Sequence, residues 1–137
     1  MASNIELFDR LVGNIFADLY ESFPIPRKLS EQDYSMHYGD DGFEEFFKAT
    51  LRWLSSAGFI DLNTGYNHLG PYSATLTNKA LEALKIVPDS LASQESLGER
   101  LTKATRDGFF DQARSLTGQV LGFGARLGYS AIQAQLT

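Results

Sequence analysis

Apolar side chains recur at Ile5, Phe8, Leu11, Val12, Ile15, Phe16, Leu19, Tyr20 and Phe23, a spacing that predicts a helix with one broad buried stripe. Asp9, Arg10, Asn14, Asp18 and Glu21 fall mostly on the other face. Ser3 and Glu6 form a capping box at its start, and Pro24 and Pro26 stop it. Ser30 is placed to cap a short helix over roughly 31–36, and Tyr38-Gly39-Asp40 reads as a turn. Asp41 and Glu44 make a second capping box. It opens a helix with Phe43, Phe46, Phe47, Thr50, Leu51 and Leu54 on one side, and Gly58 sits where a helix ends in a left-handed residue. Residues 59–62 read as a strand, Asn63-Thr64-Gly65 as a turn, 66–71 as a loop and 72–76 as a returning strand. Thr77 then caps a helix carrying Ala80, Leu81 and Leu84, closed by Pro88.

A third capping box, Ser96 with Glu99, opens the last segment. From Phe109 onward, Ala113, Leu116, Val120, Phe123 and Leu127 follow a heptad-like spacing. Glycines at 108, 118, 122, 124 and 128 interrupt it, each costing up to about 1 kcal/mol relative to Ala inside a helix. The pattern fits one long helix, or a hairpin broken near Gly122-Phe123-Gly124.

The helix over 43–57, followed by Gly58-Phe59-Ile60, a loop, and Leu76-Thr77-Asn78-Lys79-Ala80-Leu81, resembles the winged helix-turn-helix superfamily across roughly residues 5–88. Leu54-Ser55-Ser56-Ala57-Gly58-Phe59-Ile60 is similar to the phrase that closes that family's recognition helix. The resemblance implies a mostly α fold with a small β-wing. It divides the chain into a winged-helix domain at 1–90 and a C-terminal helical extension at 91–137. It also implies that DNA contacts, if made, come from the exposed side of the helix 43–57 and from the wing, with Lys48 and Arg52 as the cationic candidates.

Charge bears on that implication. The net charge is −5 and the sequence pI about 4.9. Residues 1–90 carry 7 Lys/Arg against 13 Asp/Glu, or −6, and residues 91–137 carry 5 against 4, or +1. The segment 63–75 has no Lys or Arg. Duplex binding is driven by neutralising phosphates, so this balance disfavours it. There are no cysteines, which removes thiol chemistry and Cys-ligated zinc and fits a cytoplasmic protein. The N-terminus has no basic run before an apolar stretch, so no signal peptide is expected.

No catalytic constellation is legible. Asp40, Asp41, Glu44 and Glu45 are read as carboxylates at a helix N-terminus, not a metal site. His37 and His68 are read as loop histidines. Gly122-Phe123-Gly124-Ala125-Arg126-Leu127-Gly128 lacks the preceding strand of a dinucleotide loop. Trp53 is read as core. The expectation is therefore a non-enzymatic, cofactor-free, cytoplasmic interaction or regulatory module. It is expected to bind an unknown protein partner and to form a homodimer through Phe109, Leu116, Val120, Phe123 and Leu127, the alternative for that stripe being to pack back on the chain's own N-terminal domain. The alternative is a DNA-binding regulator.

Overall fold

The computed structural model describes residues 4–34, 42–63, 72–88 and 94–136, with side chains described through residue 127. Ser3 and Asp41 of the first two capping boxes, both histidines, and the loop 64–71 lie outside the described residues. Among those described, the protein is mostly helical with one small antiparallel sheet. The elements are α1 (Asn4–Ser22), β1 (Arg27–Leu29), α2 (Glu31–Tyr34), α3 (Phe43–Ser56), β2 (Ile60–Asn63), β3 (Tyr72–Leu76), α4 (Asn78–Lys85), α5 (Leu97–Asp107) and α6 (Phe110–Leu136).

The sheet has the order β1-β3-β2. β2 runs antiparallel to β3 with Ile60 opposite Leu76 and Asn63 opposite Ser73. β1 adds to the other edge with Arg27 opposite Ala74 and Leu29 opposite Tyr72. Sequence pattern gives no strand at β1, and the reason is physical: three residues have no period to read. Its pairing is with a segment more than forty residues away. Leu29 is fully buried, so one apolar residue anchors the strand to the core.

α1 buries Leu11, Val12, Ile15, Phe16 and Leu19, and α3 buries Phe43, Phe47, Thr50, Leu51 and Leu54. Phe16, Leu19, Phe47, Leu51 and Leu84 lie together in one hydrophobic cluster, as their stripes predict. Tyr34 of α2 stacks on Phe47 with ring centroids 5.7 Å apart. The Tyr34 hydroxyl donates to Asp18 Oδ2 at 2.7 Å. Burial, then the Asp18 carboxylate, push the Tyr34 phenol well above its ordinary value.

The phrase Thr77-Asn78-Lys79 is used twice. Thr77 Oγ1 accepts from Ala80 N and caps α4. It also donates to Gly58 O at 2.6 Å, at the end of α3. Lys79 Nζ donates to Ala57 O and lies 4.4 Å from the Phe59 ring centroid. Gly58 has φ 85°, the left-handed turn that the sequence assigns to it.

The C-terminal third folds back on the rest of the chain. α5 starts at the Ser96–Glu99 capping box. Its Leu97, Leu101 and Ala104 belong to the same buried cluster as α1 and α3. α6 is one continuous helix lying against α1, α4 and α5. Ala113, Leu116 and Val120 are buried inside the chain, and Phe123 and Leu127 are partly buried against the core. The expected seam with a second chain is thus corrected at its centre. Leu116 and Val120 are covered by the chain's own helices, and Phe109 precedes α6 and is 57% exposed. Two glycines serve packing between elements: Gly13 of α1 faces Thr117 of α6, and Gly124, one of those that suggest a break, faces the Phe59 ring. The packing that these close approaches permit outweighs the helix cost of glycine.

Candidate interaction surface on the third helix

α3 is amphipathic, and its inward stripe dictates what faces outward. With Phe43, Phe47, Leu51 and Leu54 buried, Glu44, Glu45, Lys48, Ala49, Arg52 and Ser56 must be exposed, and all of them are. Lys48 donates to Glu44 Oε1 at 2.9 Å, one turn back along the helix. That contact holds the Lys48 ammonium above and the Glu44 carboxyl below their ordinary values, so each stabilises the charged form of the other. The pair is exposed, so it offsets only part of the charge that Lys48 presents. Glu44, Glu45, Lys48 and Arg52 line a polar recess of about 760 Å³.

Trp53 overturns its expected place in the core. It is 46% exposed. One ring face stacks toward Phe59 at 6.2 Å, while Phe8 of α1 meets it edge-on at 5.3 Å. Trp53 lies one turn from the buried stripe, where α1 passes close but does not cover it. Beside it runs an apolar groove of about 430 Å³, walled by Ile5 and Phe8 from α1 and by Phe46, Ala49 and Thr50 from α3. Ile5 is 65% exposed at its rim. Two large side chains are thus held in water by rigid helices, an arrangement that marks contact surfaces more often than ordinary surface.

The sequence pattern places Lys48 and Arg52 on this same face. It misses the apolar half of the face, because Ile5, Phe8, Phe46 and Trp53 all read as core by spacing. Phe109 and Phe110 form a second exposed aromatic pair at the start of α6, with the Arg10 guanidinium 4.2 Å from the Phe110 centroid. Other cations are paired nearby: Arg114 reaches Glu6 at 3.3 Å and Asp9 at 3.6 Å, and Arg27 lies 3.9 Å from Asp18. Partial burial raises the Asp9 carboxyl despite the Arg114 charge that opposes it.

Among the described residues, no group of three His, Asp or Glu side chains is placed to hold a metal ion. Among them, too, no helix is long and apolar enough to cross a membrane. No family model matches the chain, and neither a curated protein nor a solved structure matches it.

Proposed function

We propose that the chain is a winged-helix module that works by binding protein, with no chemistry of its own, in a regulatory role in the cytoplasm. Support for the architecture comes from the element order and from the sheet order β1-β3-β2, in which a short strand after the first helix pairs with the strand that returns from the wing. The observation that carries the functional reading is the face of α3. The helix that would enter a DNA groove presents an exposed Trp53 and an apolar groove on one side, and a Lys48 already bound to Glu44 on the other. Arg52 is the exposed cation that remains on this face, and Lys79, the next cation after it, is held by the Ala57 carbonyl and the Phe59 ring. Such a surface gains by excluding water and offers few counterion-releasing contacts to phosphate.

The competing reading is a DNA-binding regulator in which exposed Lys48 and Arg52 touch the duplex. A mobility-shift assay near 150 mM salt, about the physiological range, separates the two. Protein binding without DNA readout predicts no nanomolar, sequence-selective shift. Such a shift, weakened by Arg52→Ala, overturns the proposal in favour of DNA.

A further inference from the structure

We infer that the outward face of α3 is the contact between two copies of this chain, packed antiparallel about a two-fold axis that passes beside Ala49. This rests on the protein-binding reading above and names the partner. The inference comes from the arrangement of residues on the helix. At 100° per residue, Glu45, Ala49, Arg52 and Ser56 lie along one ridge, and Phe46 and Trp53 lie along the next. Ala49 sits midway between Glu45 and Trp53, near the centre of the exposed face.

A two-fold axis between antiparallel helices reverses the direction of the copy but keeps each edge on its own side. Centred at Ala49, it sets Glu45 of one copy beside Arg52 of the second, and Arg52 beside the second copy's Glu45. On the other edge it sets Phe46 beside the second copy's Trp53, and the reverse. The charged edge is its own complement, and so is the aromatic edge. Ala49 is small and exposed, so two helices can approach closely there. Ile5 and Phe8 of α1 flank the aromatic edge and extend the apolar contact. An unrelated partner would need none of this internal symmetry. The apolar stripe of α6, by contrast, is already occupied by α1 and α4.

The test is sedimentation equilibrium on the full chain near 150 mM salt, which screens the repulsion between two chains of net charge −5. The wild type is expected to dimerise with a micromolar Kd. Glu45→Arg or Arg52→Glu alone turns both ion pairs into like-charge contacts and weakens the dimer about tenfold or more. An equimolar mixture of the two variants restores both pairs across the axis and recovers the wild-type affinity. A wild type monomeric to about 500 µM, single variants as tight as wild type, or a mixture no tighter than either variant alone overturns the inference. A second probe uses the absence of cysteine. Ala49→Cys is expected to give a disulfide-linked dimer on mild oxidation and Lys85→Cys on α4 not; equal yields from the two overturn it. The two proposals fail separately. Tight duplex binding removes the protein-binding reading, whereas a wild type that is monomeric and ignores DNA removes only the two-fold contact.

Discussion

Three glycines of α6 make opposite demands, and replacing each by Ala reads the packing of the C-terminal helix directly. A Cβ built on Gly124 would sit 2.3 Å from Phe59 Cε1 and 2.9 Å from its Cζ. Phe59 has nowhere to go: it is buried, 5.9 Å from Phe16, stacked toward Trp53, and held under Lys79 Nζ. Forcing a methyl into such a site costs about 1–3 kcal/mol. Ala in place of Gly returns about 1 kcal/mol of helix propensity. Gly124→Ala should therefore destabilise by up to about 2 kcal/mol. At Gly118 and Gly122 a Cβ meets nothing within 4 Å. Only the propensity gain applies there, and each Ala variant should stabilise by about 0.5–1 kcal/mol. Urea unfolding followed by far-UV circular dichroism, all at one protein concentration, measures the three differences. In thermal melts, 1 kcal/mol corresponds to about 3–5 °C for a chain of this size. If Gly124→Ala stabilises as much as Gly118→Ala, α6 does not press on Phe59 and the fold-back of the C-terminal third is wrong.

Two further outcomes are expected. Phe47→Ala should cost about 3–5 kcal/mol in urea unfolding, because Phe47 is fully buried between Tyr34 and Phe43; a loss under about 1 kcal/mol would mean that α3 presents a different face inward. The Tyr34 phenol titrates above its ordinary value in the fold, so the stability it contributes is complete below pH about 10 and is lost as pH rises through the folded value. Tyr34→Phe should lower stability at pH 8 by about 0.5–1.5 kcal/mol through loss of the bond to Asp18. It should also flatten the alkaline decline in urea midpoint relative to wild type; parallel declines in the two proteins would place Tyr34 in water.

The sequence by itself determined the elements whose signals are local. Thr77 and Ser96 accept from amides three residues on, so their caps need only the neighbouring turn to form. Gly58 ends α3 for the same reason, and the inward stripes of α1 and α3 follow from helical spacing. The cationic half of the α3 face, Lys48 and Arg52, was legible because it is what that stripe leaves outside. Tertiary structure decided the rest, and in each case the deciding partner is far away in sequence. β1 exists because β3 offers an edge to Arg27–Leu29. Trp53 stays half in water because α1 delivers only Phe8 and Ile5 beside it, and spacing along α3 cannot count the side chains another helix brings. The stripe of α6 looked like a seam for a second chain, since an apolar stripe says that it must be covered but not by what. Gly13 and Gly124 let Thr117 and Phe59 come close enough for the chain to cover it itself.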